Sequence, residues 1–329
     1  MTWLAWRQLR VAVLSVYSAV AVAGVLLAVT RLAGKGRFDQ DFWYSGSLVA
    51  VYLAPALLGV FWGVPMITRE LEAGTHHLVW NQGVTRTRWL AVKLGVGVPA
   101  ALVAVGALSL AVTWWAGPVD ATAVLAEERD VEARITPPVF AARGLAPVGY
   151  AAFALVLGVA VAIVVRRTVP AMAVTLVLYA AAQLVFPIAV RPHVLPPTDE
   201  VVAITADNIG GVRAAEGSDG DVPESLTVEV PGGAWVLTNE TVDADGAAVF
   251  PLPDAVGDCL PRAPEVAVPL DLRKIHECFA RLSDLGYRQH VAYLPVSRFW
   301  PLQWLELASY LALSAPVAWF GFRRLRHLF

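Results

Sequence analysis

The sequence predicts a membrane protein of the all-α class, with six transmembrane helices and a small α+β extracytoplasmic domain between spans five and six. Three observations predict this class. The 329 residues are 57% apolar and 16% charged, whereas soluble domains are typically about 45–50% apolar and about 25% charged. Six apolar runs approach the roughly 20 helical residues that a bilayer core requires. One polar segment, residues 191–298, is long enough for a small domain of its own.

The first apolar run, Val11–Val29, is longer than the core of a cleavable signal peptide, so we predict a retained membrane helix. The remaining runs have the length and apolar composition of membrane spans. The five further predicted spans are Ser47–Ile67, Leu94–Ala116, Val148–Val165, Val169–Val190 and Phe299–Phe320. We therefore assign residues 1–190 to a membrane domain, 191–298 to the extracytoplasmic domain, and 299–329 to the sixth span with a basic cytoplasmic tail.

Two short patterns constrain how the spans pack. Residues 166–168 alone separate the fourth span from the fifth, so these helices should be antiparallel neighbours. Gly59 and Gly63 form a GxxxG pattern in the second span, which favours close helix packing. The sequence leaves open whether that contact lies within one subunit or across a dimer.

The basic residues predict the orientation of the spans, because Lys and Arg stay preferentially on the cytoplasmic side. Six spans place both termini on one side of the membrane. If that side is the cytosol, it holds Arg7, Arg10, Arg69, Arg86, Arg88, Lys93, Arg166, Arg167, Arg323, Arg324 and Arg326, against only Glu70 and Glu72. We therefore predict a multi-pass protein of the plasma (inner) membrane with both termini cytoplasmic.

Residues 191–298 predict both strands and a helix. Apolar residues alternate from Leu226 to Val230, and a Pro-Gly-Gly turn leads to residues 235–237, which predicts a hairpin. Residues 270–285 show the apolar spacing of a helix, and residues 287–294 resemble another strand. The extracytoplasmic domain should therefore be of the α+β class.

Cys259 and Cys278, the two cysteines of the chain, both lie in this predicted extracytoplasmic domain. Because that compartment is oxidising, a disulfide is the leading interpretation, with two buried free thiols as the alternative. A zinc site is disfavoured because residues 276–278 are consecutive and point in different directions on a helix. We predict no metal site.

Several kinds of chemistry lack their sequence signatures. The chain has no Walker A loop for ATP and no HExxH or GxSxG motif of a metalloprotease or serine hydrolase. Only Glu306 is ionisable within a predicted span, whereas ion-coupled transporters usually place several such groups there. We predict a protein that is not an enzyme and binds no cofactor of its own. If it transports a substrate, another chain supplies the energy.

The inner loop formed by residues 68–93 is the one predicted cytoplasmic connection long enough to contain structure. Residues 69–77 can form a short helix, and Thr85 is a candidate N-cap for the helix that becomes span three. Glu70 and Glu72 are the only carboxylates on an otherwise basic surface. They would pair either with basic residues of a partner or locally with Arg69, Arg86 and Arg88.

The sixth span carries a polar stripe at helical spacing. The stripe consists of Gln303, Glu306, Tyr310 and Ser314. Because ionisable groups in spans usually face a bundle interior or a wet cavity, this stripe is a candidate for the outer end of a substrate path. The alternatives are a structural pair with an arginine of the extracytoplasmic domain, or simple hydration near the interface.

Four segments together resemble a known family. They are MTWLAWRQ at residues 1–8, RELEAGTH at 69–76, VTRTRWLAVKL at 84–94 and RFWPLQWLE at 298–306. They resemble actinobacterial ABC transporter permease subunits of the ABC-2 type. The resemblance implies a subunit that forms a homodimer or pairs with another permease, and that works with a separately encoded ATPase, which holds ATP and Mg.

The same resemblance assigns roles to residues of the inner loop. Residues 69–77 correspond to the coupling helix, which transmits closure of the ATPase to the spans, and the amino-terminal stretch corresponds to a connecting helix. The implied ATPase-coupling residues are Arg69, Glu70, Glu72, His76, Arg86 and Arg88.

Two hypotheses for the function follow. The first is the permease subunit of an ATP-driven exporter, with the ATPase subunit and the lipid bilayer as partners and no nucleic acid. The second is a membrane-anchored sensor or immunity protein whose outer domain binds a ligand or antimicrobial. The coupling loop favours the first hypothesis.

Overall fold

The computed structural model describes residues 2–33, 40–75, 80, 83–124, 133–189, 196–215, 222–260 and 271–327. The chain divides into two compact units. The first, which we call the helical unit, comprises Met1–Thr122, Glu128–Leu195 and Ser297–Phe329. The second, the sheet unit, comprises Ala123–Glu127 and Pro196–Val296.

The helical unit contains eight of the described α-helices. They are α1 (Thr2–Leu32), α2 (Gln40–Leu58), α3 (Pro65–Glu72), α4 (Arg86–Val124), α5 (Pro137–Ala141), α6 (Ala146–Val165), α7 (Thr168–Ala189) and α9 (Phe299–His327). A π-helical segment, Gly59–Gly63, joins α2 to α3. Six of the described helical stretches are long and apolar enough to cross a membrane, which confirms the predicted number of spans.

Helix α6 forms the centre of the helical unit. It is apolar on all sides, and nearly all of its residues from Ala146 to Ile163 are buried, as expected for a helix surrounded by other helices. It packs against α9, α7, α2 and the π-helical segment. Helix α6 ends at Val165, and the next residue, Arg166, has a φ of 61°, which turns the chain within two residues into α7. The short connection therefore does make α6 and α7 neighbours.

The glycines of the π-helical segment pack directly against α6. A Cβ atom added at Gly158 would lie 2.3 Å from the carbonyl oxygen of Gly59. A Cβ atom at Gly59 would lie 2.6 Å from the carbonyl oxygen of Ala154, and one at Gly63 would lie 2.8 Å from that of Leu155. The GxxxG pattern of the second span thus forms a close backbone crossing within one chain.

The sheet unit contains five described strands and one α-helix. They are β1 (Thr198–Val202), β2 (Ile209–Ala215), β3 (Val222–Val228), β4 (Trp235–Val242), α8 (Leu272–Ala280) and β5 (Arg288–Leu294). Strands β1, β5 and β4 form an antiparallel sheet in that order, and β2 pairs with β3. Buried side chains, including Leu226, Phe279, Leu282 and Val291, form its core.

The predicted hairpin between β3 and β4 is wrong. Strand β3 pairs with β2, and β4 pairs with β5. Backbone groups of β3 that would bond to β4 in a hairpin form hydrogen bonds with side chains instead. The side-chain amide of Asn239 accepts from the N–H of Val228 and donates to its C=O. Gln289 Nε2 donates to the carbonyl oxygen of Leu226. The strands meet through these side chains rather than through a backbone ladder.

A disulfide joins Cys259, at the end of a 3₁₀ turn, to Cys278 of α8, with the two Cα atoms 5.6 Å apart. The bond closes a loop with a sequence separation of 19 residues. A loop of this length predicts about 3 kcal/mol of stabilisation.

We expect the Cys259→Ser, Cys278→Ser double variant to exchange its protected sheet-unit amides roughly 100-fold faster in hydrogen–deuterium exchange, because the disulfide no longer stabilises the folded unit. Peptides of α6 provide the internal control, and unchanged exchange in the sheet unit would contradict this expectation.

His290 of β5 lies between carboxylates of both neighbouring strands. Its Nε2 is 2.7 Å from Asp199 of β1, and its Nδ1 is 3.6 Å from Glu240 of β4. The hydrogen bond to Asp199 is the main cause that raises the pKa of His290 above its usual value of 6.5. Protonated His290 therefore stabilises the sheet unit at pH values below the unfolded pKa, and this contribution is lost as the pH rises through the folded pKa.

This linkage predicts that the sheet unit becomes less stable to urea as the pH rises from about 6 towards 8. The His290→Gln variant should remove part of this pH dependence because glutamine does not titrate. Pulse proteolysis of the full chain in detergent, with fragments of the sheet unit identified by mass spectrometry, measures the urea midpoint at each pH. An identical pH profile for both proteins would show that His290 does not carry the effect.

Candidate coupling site

Helix α3 continues the second candidate span almost without interruption. Pro65 occupies its first turn, where a proline costs no helical hydrogen bond, and the helix ends at Glu72. Gly74 follows in a left-handed conformation, with φ of 68°. The sequence predicted a helix over residues 69–77. The structure ends that helix at Glu72, while His76 and His77 lie outside the described residues.

Glu70 of α3 forms an ion pair and a hydrogen bond with side chains of α4. Lys93 of α4 donates to Glu70 Oε1 at 2.7 Å and to the carbonyl oxygen of Met66 at 2.6 Å. Trp89 Nε1, one turn earlier on α4, donates to Glu70 Oε2 at 2.9 Å. Lys93 is only 5% exposed. A buried ammonium of this kind needs a paired carboxylate, so the contact strongly constrains how α3 and α4 lie against each other.

Glu72, the last residue of α3, forms hydrogen bonds to α7. Its Oε1 accepts from the backbone N–H of Thr168 at 2.7 Å, and its Oε2 accepts from the Thr168 hydroxyl at 2.9 Å. Thr168 is the first residue of α7, so a carboxylate of one helix satisfies an otherwise unbonded N–H at the start of another. The hydroxyl of Thr68, one turn earlier on α3, lies 2.7 Å from that of Thr168.

The arginines near α3 have a different environment from the two glutamates. The side chains of Arg69 and Arg88 are exposed, and the Arg86 guanidinium lies 5.0 Å from the centroid of the Trp80 ring. Thr85 accepts a hydrogen bond from the Arg88 N–H at 3.3 Å, as expected for the N-cap of α4. This surface is therefore predominantly basic.

The described pairs of Glu70 and Glu72 were not among those considered from the sequence. Their described contacts are with Lys93, Trp89 and Thr168, and a contact with a partner protein stays a prediction. One sequence signal could have suggested the first pair: Lys93 begins a long apolar stretch, where a cation needs an acceptor. Thr168, 96 residues from Glu72, gave no such signal.

The polar stripe of α9 is buried against α6 and α7. Gln303 Oε1 accepts from the backbone N–H groups of Leu145 and Ala146, at 2.8 and 2.6 Å, and so caps the start of α6. Tyr150 of α6 donates a hydrogen bond to Glu306. The four stripe residues are Gln303, Glu306, Tyr310 and Ser314, all of them buried.

Tyr310 extends this network to α7, since its hydroxyl donates to Gln183 Oε1 at 3.0 Å. Ser314 bonds the carbonyl of Tyr310 at 2.7 Å, within α9. Apart from this bond of Ser314, the hydrogen bonds described above link the stripe to other parts of the helical unit, and its role in a substrate path stays a prediction. Within the described part of the chain, no group of three His, Cys, Asp or Glu residues is arranged to hold a metal ion.

Residues 1–191 match the family described as ABC-2 membrane transporter related. The chain belongs to this family. The match includes α3, α4 and α7, which form the contacts of Glu70 and Glu72. No curated protein and no solved structure matches the sequence.

Membership confirms the resemblance to ABC-2 type permeases. This ABC-2 permease is the membrane subunit of an ABC transporter and a multi-pass membrane protein. Permeases of the family generally lack ATPase motifs and typically pair with an ATPase subunit.

Proposed function

We propose that this ABC-2 permease is the membrane subunit of an ATP-driven exporter, and that α3 carries the motion of a separate ATPase subunit into the spans. The observation that carries this proposal is the double attachment of α3. Glu70 holds α4 through a buried ion pair, and Glu72 holds the first residue of α7. A displacement of this one short helix would therefore move two spans together.

The covalent path supports the same role for α3. Helix α2, the π-helical segment and α3 follow one another with only Val64 between the last two, so a displaced α3 also acts on the second span. The π-helical segment in turn packs against the buried α6 through its glycines. In this proposal, ATP and Mg bind the partner subunit, and this chain contributes the moving helices of an alternating-access cycle.

The contact with the ATPase is assigned to the basic surface beside α3. Because Glu70 and Glu72 are engaged within the chain, the exposed Arg88 and the neighbouring Arg86 are better placed to meet acidic groups of a partner. His76, whose position lies outside the described residues, stays a coupling residue predicted from the sequence. This assignment places α3, and with it both termini of the chain, on the cytoplasmic side of the plasma membrane.

A second permease, identical or different, is the further partner we propose. Helix α1 exposes many large apolar side chains, which in the membrane would contact lipid or another permease. These side chains include Val11, Leu14, Val22, Val25 and Val29. The sheet unit is proposed to lie outside the cytoplasm, where a disulfide persists.

The test is purification of the tagged chain from its native membrane in mild detergent, followed by mass spectrometry and an ATPase assay. We expect a nucleotide-binding ATPase subunit to coelute in stoichiometric amount. The Arg86→Glu, Arg88→Glu double variant should lose most of it by charge repulsion. The matched control is Arg323→Glu with Arg324→Glu, two exposed arginines at the end of α9. Recovery of the folded wild-type chain without any ATPase would favour the sensor or immunity protein instead.

A further inference from the structure

A cavity of about 260 Å³ lies beside α3, within the helical unit. Four helical segments contribute to its wall: α1, the π-helical segment, α3 and α4. Its lining includes Leu9, Ala12, Phe61, Arg69, Glu70 and Lys93. The cavity thus joins apolar residues of the spans to charged residues at one end of the second span.

The charged part of the wall has an excess of positive charge. Glu70 and Lys93 neutralise each other at 2.7 Å, and the second carboxylate oxygen of Glu70 accepts from Trp89. Arg69 is exposed, and no described acidic side chain lies within ion-pair distance of it. One guanidinium is therefore available to an anion, and its planar fork suits the oxygens of a phosphate.

The remaining wall is apolar and reaches the surface of the spans. Leu9 and Ala12 of α1 and Phe61 of the π-helical segment line this part of the cavity. Phe61 is 64% exposed and lies in a segment long and apolar enough to cross a membrane, so its exposed side would face lipid. A hydrocarbon chain could lie along this surface, whereas a free inorganic anion would leave it uncovered.

We propose that this cavity binds one anionic phospholipid, with the headgroup phosphate at Arg69 and an acyl chain along Leu9, Ala12 and Phe61. Basic residues at the membrane surface attract anionic lipids, and here the attraction is combined with a shaped apolar wall. The bound lipid would bridge α1 to α3 and α4, so the lipid composition of the membrane would set how freely α3 moves. The binding step itself does not depend on the proposed ATPase.

The test uses the purified permease alone, freed of lipid in detergent and titrated with phosphatidylglycerol or with phosphatidylcholine of the same acyl chains. Native mass spectrometry counts the bound lipids. We expect the wild-type chain to retain one phosphatidylglycerol at least tenfold more strongly than phosphatidylcholine. Arg69→Gln should reduce this preference to less than threefold. Arg88→Gln removes an exposed arginine that does not line the cavity, and should keep the preference.

Two further arms separate the possible outcomes. Ala12→Trp fills the apolar part of the cavity and should lower retention of both lipids. Inorganic phosphate should not displace phosphatidylglycerol at millimolar concentration if the acyl chain contributes to binding. Equal retention of the two lipids by the wild-type chain, an unchanged preference in Arg69→Gln, or full displacement by phosphate would each overturn the proposal.

Discussion

Replacing Gly158 with alanine should prevent the helical unit from packing correctly. The new Cβ atom would lie 2.3 Å from the carbonyl oxygen of Gly59 and 3.3 Å from the backbone nitrogen of Val64. Both obstacles are backbone atoms, so no side-chain rotation can relieve the overlap, and α6 would have to separate from the π-helical segment. Overpacking typically costs 1–3 kcal/mol, and we expect about 3 kcal/mol or more here.

Gly24 of α1 provides the matched control, because an added Cβ atom there meets no atom within 4 Å. Alanine favours a helix over glycine by about 1 kcal/mol, so Gly24→Ala should leave the chain as stable as the wild type or slightly more stable. Size-exclusion chromatography and thermal unfolding in detergent compare the two variants. Equal yield and equal unfolding temperature of Gly158→Ala and Gly24→Ala would contradict the close crossing.

Replacing Glu70 with leucine should destabilise the helical unit by about 3–5 kcal/mol, because it leaves the buried Lys93 ammonium without its carboxylate. The substitution also removes the acceptor of Trp89 Nε1. Thermal unfolding of the purified chain in detergent measures the loss. A large fall in the unfolding temperature is the expected result.

The double variant Glu70→Leu, Lys93→Met separates the unpaired charge from other effects of the substitution. A buried ion pair can often be replaced by apolar residues of similar volume at little cost, so the double variant should recover most of the lost stability. Glu72→Gln is the comparison for an exposed position, and should have a much smaller effect on the unfolding temperature. A double variant as unstable as Glu70→Leu alone would show that the ion pair does not explain the loss.

The spans were predictable because their signal is local. Twenty apolar residues in succession identify a membrane helix whatever its neighbours, and the structure has six such helices among the described residues. The shared face of Gln303, Glu306, Tyr310 and Ser314 also follows from helical spacing, and all four residues are buried. Helical spacing predicts which residues share one face of a helix, but it does not predict which other helix packs against that face.

Lys93 signals the need for an acceptor, but the partners that define the coupling site could not be predicted, because their contacts join distant parts of the chain. Glu72 and Thr168 are 96 residues apart, and Glu70 and Lys93 are 23 apart. The wrong hairpin has the same cause. Alternation and the Pro-Gly-Gly turn are local signals, whereas Asn239 and Gln289 reach the backbone of β3 only in the folded sheet unit.

Photo-crosslinking from the end of α3 tests most directly whether this helix contacts the ATPase subunit. Ala73 is exposed and directly follows the last residue of α3. A benzophenone amino acid at this position, in cells that express the native neighbouring genes, should crosslink to the ATPase subunit on irradiation. The same amino acid at Leu14, exposed on the apolar α1, should not crosslink to it. An ATPase adduct from position 73 alone is the predicted result. No adduct there, in a chain that is folded in the membrane, would contradict the role of α3 in coupling.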